Sequence, residues 1–443
     1  MITVSKNGGG EYTSIAEALK NASENDTTFI KKGIYHEQAE LIVNGVTIIG
    51  EDMHETVIEY DLYAKMPAPD ADKLGTFRSY TLLLNADHVT LKNITVKNTA
   101  GFGSDVGQAV ALYAEGDNIT VEDCILEGHQ DTLFTGPLPY KEVEKGGFKG
   151  PTEFAERRFC RQYYRRCFIS GEVDFIFGSA AVIFDDCELY SIDCGKEING
   201  YVTASSAYEG QPYGYIFRNC RFTGNCPDET VYIGRPWREY AQTVLINCEL
   251  GSHIHRDIFH DWNKPNAHKT AFYGLYNCYG DGIGTDKPAD FVHILSHEDM
   301  AQVNVNINMS AVYDHTIEEL ENFHAEKPEL DSYVCSTWYN AVKKPVSQLT
   351  AEEIRLLIGQ KTGIKHILPG AISILKNDPV IEVTFFEGDL LKQLLDLNEN
   401  EWSDSKNELM VLAAIIRNDL DRILSCNEIS ENSVNKLLRL TEI

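Results

Sequence analysis

Short apolar runs separated by polar turns fill most of the first 300 residues. Alternating or β-rich segments such as VTLKNITV, ITVEDCIL, AVIFDDCEL and TVLINCEL are bounded by Gly, Asn and Asp, which is typical of strands. They share a polar–Cys–x–apolar–x–small repeat, which occurs at Cys124, Cys167, Cys187, Cys220, Cys248 and Cys278. An earlier copy has Ile94 instead of Cys.

This repeat predicts stacked coils. A single strand cannot bury its inner face alone, whereas stacked coils bury a continuous core. We therefore expect an all-β parallel β-helix over roughly residues 25–295, with the cysteines in an internal ladder and equivalent loop positions along one outer groove.

Helical periodicity occurs near both ends of the chain. The segment Tyr12–Asn21 predicts a short helix that caps the β-helix, with Ile15, Ala18 and Leu19 on one face. Thr350 and Glu353 form a capping-box pattern, and the chain reads as helical from there onward. A later apolar stripe is more typical of a core than of a partner surface, and it comprises Leu409, Leu412, Ala413, Ile416, Leu420 and Ile423.

The pattern predicts two domains and one long insertion. The β-helical domain is expected over residues 1–310, a connector over 311–345, and a smaller, mostly α-helical C-terminal domain over 346–443. Between the repeat copies at Cys124 and Cys167, the segment Pro137–Arg158, hereafter the insertion, is charged and Gly-rich. We expect it to loop out beside the groove.

Composition narrows the possible partners. With 39 Lys and Arg against 67 Asp and Glu, the net charge is −28, which argues against nucleic acid and anionic membranes. The eleven cysteines follow no disulfide or metal-ligand spacing and are expected to be small buried hydrophobes. The N-terminal residues MITVSKNGGGEYTS show no basic-then-apolar leader, which predicts a cytoplasmic protein, or a secreted one if a leader was removed.

Two aspartates occupy the same place in successive copies of the repeat. Asp131 and Asp174 each lie seven residues after a repeat cysteine, Cys124 or Cys167. Since neighbouring strands are roughly 4.7–4.9 Å apart, we expect the carboxylates to face each other at about that distance. One pKa should then rise while the other stays low, giving one acid and one nucleophile or base.

Other groups of an ester-cleaving site accompany this pair. Gln130 and Gln108 offer amides that can donate hydrogen bonds to an oxyanion, and Arg235 can hold a carboxylate ionised. Trp237 offers a flat face for a sugar ring. Each has an ordinary structural alternative, namely stacked turn amides, a surface ion pair or a core Trp. Their convergence on one groove is what favours a functional site.

With these residues in place, the first 310 residues resemble the pectin methylesterase family. The resemblance runs through GGGEYTSIAEAL, GTFRSYTLLL, GQAVAL, GHQDTLF, GEVDFIFGSA and GRPWREYAQTV. It implies a right-handed parallel β-helix that hydrolyses methyl esters of galacturonate in homogalacturonan or oligogalacturonides and releases methanol. It implies no metal or organic cofactor.

The resemblance also implies a role for each matching residue. Asp174 would be the nucleophile that forms an acyl-enzyme, and Asp131 would act as general acid and then base. Gln108 and Gln130 would form the oxyanion hole, and Arg235 would orient Asp174. The substrate-binding residues would be Trp237, Phe175 and Thr76.

Several features leave alternatives open. Glu172, His129 and the insertion depart from the family pattern and leave the choice between polymer and oligomer undecided; Glu172 is interpreted as repelling a free carboxylate of pectin. Another β-helix pectin-active enzyme, a glycosidase or a lyase, is the alternative, as is a non-catalytic carbohydrate-binding or immunity protein. The C-terminal region, including QLTAEEIRLLIG and EGDLL, is similar to immunity-type proteins of contact-dependent growth inhibition systems. A helical accessory domain that mediates self-association is an equal interpretation.

Overall fold

The computed structural model describes residues 1–264, 266–284, 288–329 and 332–441, which form two compact units, Met1–Ile294 and Leu295–Ile443. The division falls before residue 310, where the sequence analysis ends the β-helical domain. The difference arises because Ser296 and Asp299 form a capping box that starts helix His297–Ala311. Ala301 and Val305 of this helix belong to the core of the second unit.

The first unit is a right-handed parallel β-helix, as predicted. Within the described residues, each coil contributes to up to three parallel sheets. The eleven-stranded sheet runs Ile2–Val4, Thr27–Ile30, Thr47–Gly50, Thr90–Lys92, Ile119–Glu122, Arg161–Arg165, Ala181–Asp185, Tyr215–Arg218, Gln242–Ile246, Phe272–Tyr276, Val292–Ile294. The eight-stranded sheet runs Gly33–His36, Thr56–Tyr60, Thr95–Asn98, Ile125–Glu127, Phe168–Gly171, Glu188–Ser191, Arg221–Gly224, Glu249–Leu250. The seven-stranded sheet runs Ala39–Leu41, Leu82–Leu84, Leu112–Ala114, Leu133–Thr135, Val173–Gly178, Gly200–Ser205, Val231–Pro236.

The polar–Cys repeat marks one corner of the coil. Its polar residue adopts a left-handed conformation, with φ between 50° and 58°, at Asn93, Asp123, Arg166, Asp186, Asn219, Asn247 and Asn277. Asn and Asp tolerate this conformation better than most residues, which explains their frequency there. The next side chain then points inward, and each repeat Cys places its Sγ 3.4–3.6 Å from a carbonyl oxygen of the preceding coil. The predicted cysteine ladder is confirmed.

Short helices accompany the β-helix. Ser14 caps helix Ile15–Lys20, whose Ile15, Ala18 and Leu19 are at most 1% exposed and join the β-helix core, as the sequence predicts. The unit also contains Gly103–Val106, Ala267–Thr270 and the 3₁₀ turn Thr76–Arg78.

The second unit is helical. Its helices are His297–Ala311, Ile317–Leu320, Tyr333–Ala341, Ala351–Gly359, Ile364–Asn377, Asp389–Leu395, Glu399–Trp402, Lys406–Asn418, Leu420–Leu424 and Glu431–Arg439, with a 3₁₀ turn at Val346–Gln348. The Thr350–Glu353 capping box is present. Two of these helices lie in the stretch assigned to a connector, where Thr316 and Ser332 cap helices too short to show periodicity.

The predicted apolar stripe is a core element with one exception. Leu409, Leu412, Ala413 and Ile416 are buried, whereas Leu420 is 37% exposed because helix Lys406–Asn418 ends before it and a new helix begins. None of the helices formed by the described residues combines the length and apolarity needed to cross a bilayer.

Candidate active site

A pocket of about 550 Å³ opens on the outer face of the seven-stranded sheet. That volume is in the range of small-ligand sites. All of the predicted site residues except Phe175 line it, namely Thr76, Gln108, Gln130, Asp131, Asp174, Arg235 and Trp237. They come from successive coils, each on or beside a strand of this sheet. The repeat in sequence is thus what gathers residues that are up to 161 positions apart, from Thr76 to Trp237.

Asp174 stands at a β-bulge. Val173 pairs with Tyr201 and Ile176 with Thr203, so one extra residue is accommodated in the strand that carries Asp174. Asp174 itself has φ of 50°, and Asp131 on the neighbouring coil has φ of 66°. Left-handed conformations at two neighbouring carboxylates are typical of functional sites, where the surrounding structure offsets the local strain.

Phe175 does not line the pocket, so the prediction for this residue is wrong. Phe175 points inward by ordinary alternation after Asp174, and the extra residue turns Ile176 inward as well, so both are 0% exposed and pack in the β-helix core. The aromatic ring from this strand that lines the pocket is Phe177, which packs with Phe77 and Phe134 outside the β-helix core. Strict alternation counted from Asp174 places both Phe175 and Phe177 on the opposite face, so it argues against Phe175, and only the bulge brings Phe177 to the pocket.

Arg235 holds Asp174 through a bidentate ion pair. Its Nε donates to Oδ1 at 2.8 Å and its Nη2 to Oδ2 at 2.7 Å. The guanidinium carbon lies 3.8 Å from the ring centroid of Tyr201 and 3.7 Å from that of Trp262. Two parallel hydrogen bonds and two flanking rings fix both oxygens of the carboxylate in orientation.

The two aspartates differ in their proton affinity. Burial, and then the charge of Asp174, raise the pKa of Asp131 well above its usual range, against a smaller opposing effect of Arg235. Burial also raises the pKa of Asp174, rather than leaving it low as we expected, but Arg235 opposes that rise by its charge and its hydrogen bonds. The environment therefore favours a proton on Asp131 and ionisation of Asp174.

The two glutamines are free to act as donors. Within the described residues, neither the Gln108 nor the Gln130 side-chain amide forms a hydrogen bond to protein, and both line the pocket with Asp174. Gly103 packs so closely that a Cβ there would lie 2.6 Å from Gln130 Oε1. This contact keeps the Gln130 side chain against the loop that precedes Gln108.

Glu172 does not face the pocket, so its interpretation as a repellent of pectin carboxylates is wrong. The residue is 1% exposed, and its Oε1 accepts from Gly103 N at 2.9 Å and contacts His129 Nδ1 at 3.1 Å. Burial acts to raise its pKa, but the hydrogen bonds from His129 and Gly103 more than offset it and leave the pKa below the usual range. Glu172 and His129 thus hold the loop around Gly103 beside Gln130.

Part of the pocket rim was not predicted from the sequence. Phe77, Arg238, Trp262 and Lys264 line the pocket. Phe77 and Arg238 directly follow the predicted Thr76 and Trp237, so adjacency could have indicated them. Trp262 and Lys264 lie in a loop that has no repeat signal.

The insertion lies beside the groove, as expected, and packs against it as one wall of the pocket. Val143, Glu144, Gly147 and Phe148 line the pocket. Phe148 is 7% exposed, and its ring meets those of Phe77 and Trp237 at centroid distances of 5.8 and 6.4 Å. Burial of this aromatic side chain is one of the contacts that hold the charged segment against the groove.

A buried acid beneath the insertion gives a pH-dependent prediction. Glu115 is 6% exposed, near Tyr113, Thr152 and Arg157, and burial raises its pKa to about 8 against the opposing charge of Arg157. Because this pKa is raised on folding, stability is fully present below about pH 4.3 and is lost as the pH rises towards 8. Glu115→Gln should therefore match the wild type at pH 4 and exceed it at pH 8–9, by at most about 5 kcal/mol.

Urea unfolding from pH 4 to 9 measures this difference. Glu156→Gln, which removes an exposed acid of the same insertion, is the matched control and should show no such pH-dependent gain. Parallel pH profiles for wild type and Glu115→Gln would contradict the assignment.

Comparisons with known proteins agree on one family for the β-helical unit. The family model described as Pectinesterase matches residues 1–138 and 154–307, and the model described as CDI immunity proteins matches residues 319–412. The first match omits residues 139–153, which lie within the insertion.

Individual relatives give the same result. Probable pectinesterase/pectinesterase inhibitor 64 of Arabidopsis thaliana is 32% identical over 306 residues, covering 63% of this chain and 46% of that protein. Pectinesterase 1 of Solanum lycopersicum is 32% identical over 297 residues, covering 64% and 49%. The chain thus spans about half the length of these curated relatives. A pectin methylesterase solved in complex with hexasaccharide VII is 26% identical with a TM-score of 0.56, covering 68% of this chain and 94% of that one.

Proposed function

The chain belongs to the pectinesterase family, and we propose that its β-helical unit hydrolyses the methyl esters of galacturonate residues in pectin or its oligomers and releases methanol. The observation that carries the proposal is the pair of unequal carboxylates in one pocket, Asp174 held by Arg235 and Asp131 favouring its proton. A related pectin methylesterase has been solved with a bound hexasaccharide, which supports a saccharide substrate for this groove as well.

Asp174 acts as the nucleophile. Arg235 occupies both of its oxygens and keeps it ionised, so one oxygen can be directed at the C6 carbonyl carbon of the esterified residue. The carbonyl oxygen becomes an oxyanion in the tetrahedral intermediate. Gln108 and Gln130, whose amides have no partner among the described residues, donate to that oxyanion.

Asp131 transfers protons in both halves of the reaction. It gives its proton to the methanol oxygen as the C6–O bond breaks, which leaves C6 bound to Asp174 as an acyl-enzyme. The ionised Asp131 then takes a proton from water as the water oxygen attacks C6. The bond between C6 and Asp174 breaks, which restores ionised Asp174, and the product leaves as a carboxylic acid that gives its proton to solvent. The raised pKa of Asp131 suits a group that begins each turnover protonated.

Product analysis tests the proposal. Highly methylated pectin and methylated oligogalacturonides are incubated with the full chain, and methanol, reducing ends and unsaturated products are measured. Methanol without chain cleavage is expected. New reducing ends would indicate a glycosidase, unsaturated products a lyase, and binding without any product a non-catalytic carbohydrate-binding protein.

For the helical unit we propose an accessory role. Its most buried ion pair is internal: Asp389 accepts hydrogen bonds from the backbone N–H groups of Val383, Thr384 and Phe385, and Arg355 lies 3.6 Å away. These contacts stabilise the unit and leave neither charge for a substrate. The product analysis uses the full chain, including residues 295–443.

A further inference from the structure

The insertion contributes a charged and an apolar side chain to the pocket that family membership does not explain. Residues 139–153 have no counterpart in the matched family model, yet Val143 and Glu144 line the same pocket as the catalytic pair. Val143 is 81% exposed and Glu144 is also exposed, so both are available to a ligand.

The insertion is held at several points, so these two side chains have a defined place. Arg157 donates to Pro139 O at 3.4 Å and to Glu153 O at 2.7 Å, which ties the two ends of the segment together. Between the ends, Arg238 Nη2 donates to Lys141 O at 2.9 Å. Such a compact loop with joined ends behaves as a fixed wall.

The far side of the insertion is fixed by charge. Lys149 Nζ lies 2.5 Å from Asp70 Oδ2, and Arg78 pairs with the same carboxylate at 2.8 Å. These two cations hold the pKa of Asp70 well below its usual range. The segment from Lys141 to Lys149 therefore reaches from the coil of Arg238 to the loop before Phe77, along the pocket and over its rim.

Among the described residues, Glu144 is the only acidic side chain that lines the pocket besides the catalytic pair; the cations Arg238 and Lys264 also line it, and each donates to backbone carbonyl oxygens. Asp174 is paired with Arg235 and Asp131 favours its neutral form, whereas Glu144 forms no ion pair within the part of the chain that the structure describes. A free galacturonate carboxylate near Glu144 is repelled. A methyl ester at that position has no charge, and its methyl group can contact Val143.

We infer that the insertion forms a subsite for a methyl-esterified galacturonate residue adjacent to the one being hydrolysed, with Val143 contacting the ester and Glu144 excluding the free acid. This inference rests on the proposed esterase function. It makes the insertion a specificity element that favours densely methylated stretches over stretches that are already partly hydrolysed.

The test compares two neighbouring charge removals. Glu144→Gln removes the carboxylate that lines the pocket, and Glu142→Gln removes an exposed carboxylate of the same segment that does not line it. KM and kcat for methanol release are measured on oligogalacturonides of one length, fully esterified or half esterified. Glu144→Gln should lower KM for the half-esterified oligomer about threefold to tenfold and leave the fully esterified one unchanged.

The remaining outcomes separate this inference from the proposed function. The decrease in KM that Glu144→Gln causes for the half-esterified oligomer should be smaller at high salt, since an exposed charge is screened. Equal effects of Glu144→Gln and Glu142→Gln, or equal effects on both oligomers, would overturn the subsite while leaving the esterase intact. No methanol from the wild type on either oligomer would instead overturn the esterase, and the subsite with it.

Discussion

Asp174→Asn is expected to lower kcat for methanol release by at least about 10⁴-fold, because the amide cannot form the acyl-enzyme. The loss should appear in kcat more than in KM, since the groove that binds the saccharide is unchanged. Arg235 would lose its anionic partner within a partly buried site, so stability should not rise. Methanol release under saturating substrate and near-UV circular dichroism measure the two effects.

The matched control is Asp186→Asn. Asp186 also has a left-handed conformation, with φ of 56°, but it is an exposed corner residue before Cys187 and does not line the pocket. Asp186→Asn makes the same chemical change as Asp174→Asn in the same backbone conformation, and it should retain wild-type turnover. Near-normal turnover in Asp174→Asn would refute Asp174 as nucleophile.

Asp131→Asn should have opposite effects on activity and stability. Without the proton donor, kcat should fall about 10²–10⁴-fold, the usual size of a general acid–base contribution. Stability at pH 7 should increase, because the pKa of Asp131 is raised on folding by burial and by Asp174. The wild type therefore loses the contribution of Asp131 to stability as the pH rises above about 4, where the unfolded carboxyl ionises, and the variant has no such contribution to lose.

Thermal unfolding of Asp131→Asn and wild type at pH 4 and pH 7 shows whether the substitution raises or lowers stability. The melting temperatures should converge at pH 4 and separate at pH 7 with the variant higher. A variant that is less stable at pH 7 would mean that Asp131 is ionised and stabilising in the folded protein, which would remove its role as the acid.

The coil could be predicted from sequence because its signal repeats. Each copy of polar–Cys repeats one corner, and the copies at Cys124 and Cys167 placed Asp131 and Asp174 beside each other before any coordinates. Pairing of the strands Leu133–Thr135 and Val173–Gly178 follows from the same register. The period was enough to place these two aspartates, whereas Gln108, Gln130, Arg235, Trp237 and Thr76 were identified from the motifs around them.

The features that could not be predicted from the sequence each occur once and do not recur with the repeat. One bulge at Asp174 reversed the directions of Ile176 and Phe177, and nothing in VDFIFG shows that an extra residue is accommodated there. The direction of Glu172 depends on a long-range partner, Gly103 N. The sequence of the insertion is typical of a solvent-exposed loop, because it is charged and Gly-rich. Only Phe148 of its aromatic residues is buried, and a single buried aromatic residue cannot be recognised in such a segment.

The way in which the insertion is attached has an evolutionary consequence. It leaves the coil after the strand Leu133–Thr135, which keeps an unbroken register with Leu112–Ala114 and Val173–Gly178. It returns before Arg161–Arg165, which keeps an unbroken register with Ile119–Glu122 and Ala181–Asp185. Lengthening a loop costs little free energy, about 0.6 kcal/mol for each doubling, so such a segment can be gained, exchanged or lost without disturbing the coils. Descendants of one ancestral esterase could thus diverge in substrate range by replacing a single corner loop while inheriting the catalytic coils unaltered.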